Sequence, residues 1–363
     1  MKKIIITLVI IIAAIIGGIF FVNTYESETD VTKKATKVGV ILNGFKDDKS
    51  WSQSHYEGIM KTAEELNLDI IFEEYVAAEN VLDVVENFVE NDCEIIIANS
   101  AIYSEQMVEA AKLYPEIFFF HATGTSSGKN LSTFFGRMYQ IRYLTGIAAG
   151  LHTKTNEIGY AAAFPISEVN RGINAFTLGV RSVNPEAKVY VKWINSWTDD
   201  TAAANVAEKL ISDHNIDILA MHSDSLEPLR VADDHGIMSI GYNIDNHAMY
   251  PATCLTSAIW DWEKFYTPHI LKCLQGKFYG DNYWERSDTG IMDIAPLSYN
   301  AKLEIADVIE AERERLDNGT YDVFYGPIYD NEGNLRIAEG ETMTDNAMLN
   351  EFDWYVEGVV IDE

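Results

Sequence analysis

The chain has 363 residues and a formal net charge of −29 at pH 7, from 27 lysines and arginines against 56 aspartates and glutamates. Nucleic acid requires a basic protein surface and anionic lipid attracts one, so this charge argues against both as partners. The length usually divides into two domains. Three cysteines are too few for a disulfide framework in an exported chain of this size, so the fold must depend on hydrophobic cores.

The N-terminal segment has the pattern of an export signal. Lys2 and Lys3 precede an uncharged apolar run from Ile4 to Val22, which approaches the roughly 20 residues that span a bilayer. No Ala-x-Ala cleavage pattern follows, which favours an uncleaved anchor. No cysteine follows either, so a lipid anchor is not supported. We therefore expect residues 1–36 to be a signal or anchor segment with a linker, and the rest to be extracytoplasmic.

From Lys37 onward, apolar runs alternate with helix-periodic stretches. The stretch Val81 to Val89 places its apolar residues on one helical face, and the β-branched run EIIIA at 94–98 then indicates a buried strand. A helix from Ser104 to Leu113 and a strand IFFF at 117–120 continue the alternation. Strands that are apolar throughout and separated by helices predict a parallel sheet covered on both faces.

A second set of elements follows a polar stretch from Thr123 to Asn130. It contains an amphipathic helix from Gln140 to Leu151 and the strands IGYAAA, KVYVKW, DILAM and MSIGY. Two consecutive sets of similar size predict an α/β protein with two similar lobes rather than one large sheet.

Four polar turns follow the carboxyl ends of these strands, where ligands bind in parallel α/β sheets. Two turns contain tryptophan, at Trp51 and Trp197, and two contain carboxylates, at Asp224 and Asp245. Each turn alone is better explained by turn and capping residues, with Trp51 covering the core. Together they predict a binding cleft in which a tryptophan stacks on a planar ligand and a carboxylate accepts hydrogen bonds from its N–H groups.

Enzyme motifs are absent or incomplete in the sequence. The loop GTSSGKN at 124–130 is one residue short of a phosphate-binding loop and has Asn130 where that loop needs Ser or Thr. No HExxH zinc pattern and no Gly-x-Ser-x-Gly elbow occurs. We therefore assign no catalytic residue and expect neither a metal nor a cofactor.

Several of these stretches resemble the basic membrane protein family of substrate-binding proteins, whose members include a purine nucleoside receptor. The likeness extends from Lys37 over nearly the whole chain, in the family's order and spacing. It is carried by VGVILNGFKDDKSWSQSHYEG, FGRMYQIRYLTGIAAG, EVNRGINAFTLGVRSVNP, IGYNID, VFYGPIYDNEG and DWYVEGV. The resemblance implies a type I periplasmic binding protein: two doubly wound lobes joined by a three-crossover hinge, working as a monomer with an ATP-driven permease.

The resemblance also gives individual residues a role. Trp51 falls where the family places an aromatic that stacks on the base, Trp197 looks like the facing aromatic, and Asp245 matches an acid that binds ribose. Two positions depart from the pattern. Asn43 stands where the family often has Asp, and Trp260 stands where nucleoside-binding members have a Lys that holds ribose. Losing that Lys to a bulky ring implies a free purine base such as adenine as the ligand.

These observations predict an importer's receptor that binds a purine between its lobes. We expect residues 37–125 with 253–298 to form lobe 1, and residues 126–252 with 299–363 to form lobe 2. A purine nucleoside or riboflavin receptor, a nucleoside hydrolase and a ligand-sensing regulator are the alternatives. The candidate ligand-binding residues, which include three further positions near strand ends, are Asn43, Phe45, Trp51, Ser100, His121, Trp197, Asp224, Asp245 and Trp260.

Overall fold

The computed structural model describes residues 35–319 and 322–362. Most of the predicted signal or anchor segment, residues 1–34, therefore lies outside the described residues. In the part of the chain that is described, no helix is both long enough and apolar enough to cross a membrane. Residues Lys37–Glu363 form one compact unit.

The strands of this unit belong to two large sheets and one small hairpin. In chain order they are β1 Thr36–Ile41, β2 Leu68–Glu73, β3 Cys93–Ala98, β4 Phe118–Ala122, β5 Leu131–Gly136, β6 Glu157–Ala162, β7 Lys188–Trp193, β8 Ile218–His222, β9 Met238–Asn243, β10 Cys254–Trp260, β11 Asn282–Glu285, β12 Met292–Ile294, β13 Ile328–Tyr329, β14 Leu335–Ile337 and β15 Val359–Ile361.

Helices connect most of these strands, as the alternation in the sequence predicts. They are α1 Trp51–Leu66, α2 Val81–Glu90, α3 Ser104–Leu113, α4 Tyr139–His152, α5 Ser167–Val183, α6 Asp200–Asp213, α7 Glu227–Asp234, α8 Glu263–Leu274, α9 Glu304–Asp317 and α10 Asp345–Asn350. The prediction of a helix over Ser104–Leu113 is confirmed at both ends, and the helix predicted from Val81 extends one residue further.

Two sheets define the two lobes. The first has the strand order β11-β5-β4-β3-β1-β2 and the second has the order β12-β10-β9-β8-β6-β7-β15. Adjacent strands in the second sheet run parallel except β10 and β12, which are antiparallel. Strands such as β6 and β8 are buried along almost their whole length, as expected where helices cover both faces of a sheet. The predicted two-lobed α/β fold is confirmed.

The chain passes between the two sheets three times. It leaves the first sheet after β5 and enters the second at β6, returns between β10 and β11, and crosses again between β11 and β12. Helices α4 and α8 lie in the first two crossovers, and the third is only six residues long, from 286 to 291. The three-crossover hinge implied by the family resemblance is therefore present.

The sheets divide the chain differently from the lobe ranges expected from sequence. Strand β5 lies in the range expected for lobe 2, yet it pairs with β4 in the first sheet. Strands β10 and β12 lie in the range expected for lobe 1, yet both belong to the second sheet, and only β11 from that range pairs in the first. An apolar run marks a buried strand but does not say which sheet it joins, so the first two crossovers were expected too early in the chain and the third too late.

Helices α4 and α5 approach each other closely. A Cβ at Gly146 would lie 2.1 Å from the backbone oxygen of Phe176, and a Cβ at Gly179 would lie 2.0 Å from that of Tyr143. Both glycines therefore allow backbone contact that any other residue would prevent.

We expect Gly146→Ala to lower the free energy of unfolding by about 1–3 kcal/mol, because the added methyl group forces the two helices apart. Urea unfolding measures this. Gly128→Ala is the matched control: no heavy atom lies within 4 Å of its Cβ position, so the change should stay within about 0.5 kcal/mol. Equal effects of the two substitutions would show that α4 and α5 do not need this contact.

Hydrogen bonds from α5 hold the segment after α9 against the second lobe. Asn170 and Asn174 donate side-chain hydrogen bonds to the backbone oxygens of Phe352 and Trp354, at 2.9 and 2.8 Å. Arg171 donates to the backbone oxygen of Met348 at 2.6 Å. Because buried amides must find partners, these contacts hold the C-terminal segment against α5 of the second lobe.

Candidate ligand-binding site at the junction of the lobes

The first turn of helix α1 brings lobe 1 to the junction. Asp48 accepts hydrogen bonds from the backbone N–H groups of Ser50, Ser52 and Gln53, at 2.8, 2.9 and 3.0 Å. These are groups at the start of a helix that lack partners within the helix. Asp48 is therefore a capping residue, and its neighbour Ser50 is held at the start of α1 with no exposed surface.

Ser50 meets two residues of lobe 2 at the ends of β8 and β9. The side-chain amide nitrogen of Asn243 donates to Ser50 Oγ and to Asp224 Oδ1, both at 2.9 Å. Ser50 Oγ in turn donates to Asp224 Oδ1 at 3.4 Å. We call Ser50, Asn243 and Asp224 the inter-lobe network. It shows that the carboxyl ends of strands from both sheets converge on one place.

Trp260, the last residue of β10, joins this network to a group of aromatic rings. Its Nε1 donates to Asn243 Oδ1 at 3.2 Å. Its ring stacks on Trp262 with centroids 4.3 Å apart and meets Trp51 edge to face at 6.0 Å. Phe135 lies 4.9 Å away. Because Trp260 ends β10 and the second crossover follows it, this position links the cleft to the hinge.

Trp51 is nearly enclosed in this arrangement. It is 9% exposed, and its Nε1 donates to the backbone oxygen of Asn99 at 2.7 Å. The rings of His55, Trp260 and Trp262 meet it edge to face. Stacking of a ligand on its face therefore requires a neighbouring ring to move or the lobes to separate.

Asn43 is connected to Trp51 through Asn99, because both residues donate a hydrogen bond to it. Its backbone N–H donates to Asn99 Oδ1 at 2.9 Å, and its own Oδ1 accepts from Ser52 Oγ at 3.3 Å. Asn99 is completely buried. The structure thus groups Asn43, Trp51, Asp224 and Trp260 around the inter-lobe network.

Asp224 has an unusual electrostatic environment. Desolvation raises the pKa of its carboxyl to about 8, and the negative charges of Asp48 and Glu168 add to the effect. The residue is partly exposed, and the hydrogen bonds that its carboxyl accepts from Asn243 and Ser50 both reach Oδ1. Burial and the two neighbouring acids therefore favour the neutral form of this carboxyl, whereas the hydrogen bonds from Asn243 and Ser50 favour its carboxylate.

His222, the last residue of β8 in lobe 2, is the centre of a second group of buried polar residues. His222 Nε2 is 3.3 Å from Glu168 Oε1, and its Nδ1 is 3.2 Å from the hydroxyl of Tyr160. Desolvation lowers the pKa of His222 to about 4, with a further contribution from the charge of Arg142. The histidine is therefore neutral at physiological pH and acts as a hydrogen-bonding group rather than a charge.

Trp197 lies next to Asp224 and His222 in lobe 2. Its backbone oxygen accepts a hydrogen bond from the N–H of Asp224 at 2.8 Å. Its partly buried ring meets Phe164 and His222 edge to face at 6.0 and 6.1 Å. Among the described ring pairs none joins Trp197 to Trp51, so the two tryptophans do not touch in this conformation.

The other predicted residues lie apart from the inter-lobe network. Phe45 is 56% exposed and stacks on Tyr75 at 5.2 Å. Asp245 is exposed and bonds to the ring and backbone of His247 in its own turn. His121 Nε2 lies 2.7 Å from the backbone oxygen of Ser100, and burial lowers the pKa of this histidine. These residues have local structural partners.

The sequence analysis missed three asparagine and serine residues that organise the site: Ser50, Asn99 and Asn243. Asn243 directly precedes the turn from which Asp245 was chosen, and its backbone has a φ of +70°. Asparagine tolerates this left-handed conformation better than most residues. The signal in the sequence was an Asn at the end of a buried strand. The acid two residues later, Asp245, was instead predicted to bind the ligand.

Residues that could hold a metal are not clustered. No group of three or more His, Cys, Asp or Glu side chains with suitable geometry occurs in residues 35–319 and 322–362. The three cysteines, Cys93, Cys254 and Cys273, are free and buried.

Two parallel-sheet lobes, a three-crossover hinge and a polar, aromatic junction at the strand ends define the class of two-lobed solute-binding proteins. A solved ABC transporter solute-binding protein from Conexibacter woesei superposes with a TM-score of 0.69 over 79% of this chain and 98% of that one, at 17% identity. This likeness concerns the fold alone.

Residues 35–320 match the Bmp family, described as ABC transporter substrate-binding protein PnrA-like. The chain belongs to this family. It is 36% identical over 313 residues to a putative ABC transporter glucose-binding protein of Haloferax volcanii, covering 86% of this chain and 77% of that protein. It is 32% identical over 326 residues to a purine-binding protein of Brucella abortus, covering 89% and 92%. The protein is thus an extracytoplasmic substrate-binding component of an ABC transporter, with a small-molecule ligand and a permease partner.

Proposed function

We propose that this protein binds a purine between its lobes, with a free base such as adenine preferred, and presents it to the permease in the closed form. The observation that carries the proposal is the aromatic and hydrogen-bonding junction of Trp51, Trp260, Asn243 and Asp224. Rings provide stacking surface for a planar base, and the polar groups read its edge. The purine-binding relative from Brucella abortus supports this ligand class.

The preference for a base over a nucleoside depends on Trp260. Its ring is only 7% exposed and stacks on Trp262, so it fills volume at the end of β10. A Lys at this position would offer a charged donor to ribose. Trp260 instead offers one N–H, and Asn243 already accepts it. The remaining space favours a ligand without a sugar.

A sugar is the second candidate ligand. The relative from Haloferax volcanii is named as a putative glucose-binding protein, and it shares 36% of its residues with this chain over the matched region. Sugars also bind against aromatic faces with carboxyl and amide groups at their hydroxyls. The two named ligands therefore have to be compared on one protein.

Isothermal titration calorimetry of the full-length chain tests the proposal. The ligands are adenine, hypoxanthine, guanine, adenosine, inosine, riboflavin and glucose. We expect adenine to bind most tightly and adenosine at least about tenfold more weakly, because a pocket that excludes the sugar penalises it sterically.

Each other outcome selects a different function. Tight binding of nucleosides without free bases contradicts the argument from Trp260. Binding of glucose with no purine binding replaces the purine by a sugar. Release of free base and ribose from a nucleoside during the titration would make the protein a hydrolase.

A further inference from the structure

Two hydrogen bonds of the inter-lobe network cross between the lobes. Ser50 precedes α1 in lobe 1, whereas Asn243 ends β9 and Asp224 follows β8 in lobe 2. Ser50 Oγ accepts from Asn243 Nδ2 at 2.9 Å and donates to Asp224 Oδ1 at 3.4 Å. Because both ends of each bond belong to the protein, these bonds can form with or without a ligand.

Ser50 is free to face lobe 2 because a neighbour performs its expected role in α1. A serine at the N-cap position normally accepts a hydrogen bond from a backbone N–H group in the first turn of the helix. Ser50 makes no such side-chain bond, and Asp48 accepts from the N–H groups of Ser52 and Gln53 instead. Ser50 has no exposed surface. Its buried hydroxyl is therefore explained by its partners in lobe 2 rather than by helix capping.

The side-chain amide of Asn243 has a single orientation in this network. Trp260 Nε1 can only donate, and it donates to Asn243 Oδ1 at 3.2 Å. The amide nitrogen therefore faces Ser50 and Asp224 and supplies one N–H group to each. Asn243 is only 1% exposed. Without the Ser50 hydroxyl, closed lobes would bury an N–H group that has lost its acceptor, which is unfavourable.

An aromatic contact crosses the junction beside these bonds. Trp51, the first residue of α1, meets Trp260 of β10 edge to face at 6.0 Å. Both rings are buried. Because the two rings belong to different lobes, separation of the lobes breaks this contact together with the hydrogen bonds of Ser50. Opening therefore has both a polar and an apolar cost.

We propose that the inter-lobe network stabilises the closed conformation independently of the ligand, with Ser50 as the positioning residue. Ser50 acts through Asn243 and Asp224 on the equilibrium between open and closed lobes, which are the two states of a hinge protein. The ligand then enters and leaves through a conformation in which these bonds are broken. This inference rests on the purine-binding function proposed above only for its probe, adenine.

Removal of the Ser50 hydroxyl should change the rates of binding more than the affinity. Ser50→Ala leaves an N–H group of Asn243 unpaired in the closed conformation, which should raise the open-to-closed ratio about tenfold. A bond that stabilises closure equally in the free and the bound protein slows entry and release equally. We therefore expect the association and dissociation rate constants for adenine both to rise about tenfold, with Kd within about threefold. A direct contact between Ser50 and the ligand would raise the dissociation rate constant alone.

Stopped-flow measurements of adenine binding to the full-length chain give both rate constants. Ser239→Ala is the matched control: Ser239 also has no exposed surface, and its Oγ donates at 3.4 Å to the backbone oxygen of Thr253 within lobe 2. It lies near the start of β9, whereas Asn243 ends that strand. Both rate constants should stay within about twofold of wild type in this control. Circular dichroism checks that each variant is folded.

Single-molecule fluorescence energy transfer measures closure without a ligand. Dyes attached at Glu79→Cys and Thr201→Cys report on the two lobes, because both positions are exposed and follow β2 and β7. The three native cysteines are buried. The full-length chain should be mostly closed in the absence of adenine, and Ser50→Ala should raise its open-to-closed ratio about tenfold. Asn243→Gly, which accommodates the φ of +70° at this position, breaks the network from lobe 2 and should act in the same direction.

Equal open-to-closed ratios in wild type, Ser50→Ala and Asn243→Gly overturn the inference while purine binding stands. A rise in the dissociation rate constant alone also overturns it, because Ser50 is then a ligand contact. Absence of adenine binding to the wild type is a separate result: it removes the proposed function, and the fluorescence measurement still decides the role of the network.

Discussion

Replacing Trp51 with alanine should lower the free energy of unfolding by about 3–5 kcal/mol, because the ring is 9% exposed and four other rings pack against it. It should also weaken adenine binding by about 1–3 kcal/mol if the base stacks on this ring. Chemical unfolding and calorimetric titration measure the two effects separately.

Trp354 provides a matched control for this substitution. It is also 9% exposed, but it lies in the C-terminal segment, where it packs on Phe352 and Arg336. Trp354→Ala should cost a similar amount of stability and leave adenine affinity unchanged. If Trp51→Ala behaves in the same way, Trp51 is a core residue and the base stacks elsewhere.

Replacing Trp260 with alanine should have the largest effect on ligand preference. The substitution removes a ring stacked on Trp262 and the donor to Asn243, so we expect a loss of about 3–5 kcal/mol of stability. It also opens space at the end of β10. The ratio of adenosine affinity to adenine affinity should rise at least about tenfold, because the steric barrier to the sugar is removed.

A graded series separates volume from hydrogen bonding at this position. Trp260→Phe retains most of the ring but not its N–H, so it should shift the ratio less than Trp260→Ala. Titrations of adenine and adenosine with all three proteins give the comparison. A ratio that is unchanged in Trp260→Ala means that this ring does not exclude ribose.

The periodic parts of the sequence predicted most of the fold. The helix over Ser104–Leu113 and the strand at 94–98 were recognised because a one-sided apolar pattern has one stable solution. Membership of a sheet was not recognisable for β5 or β10, because an apolar strand can pair in either sheet. That choice is made by long-range packing, which no local pattern records.

The site was predictable to the extent that strand ends mark it. Trp51, Asp224 and Trp260 do meet at the junction of the lobes, whereas Asp245 turns away to pair with His247. Which residue of a turn points inward depends on backbone angles such as the positive φ at Asn243. The raised pKa of Asp224 depends on burial and on two acids that are distant in the sequence, Asp48 and Glu168, so it could be inferred only from the three-dimensional arrangement.

The three crossovers also decide when this chain can fold during its synthesis. The first sheet lacks β11 until residue 285 has been made, and the second gains β15, which pairs with β7, only at residues 359–361. At about 5–20 residues per second, the ribosome spends seconds completing strands that belong to sheets begun long before. Until then β5 and β7 are unpaired edge strands of their sheets, so the late strands β11 and β15 are what cover two edges that could otherwise pair with another chain.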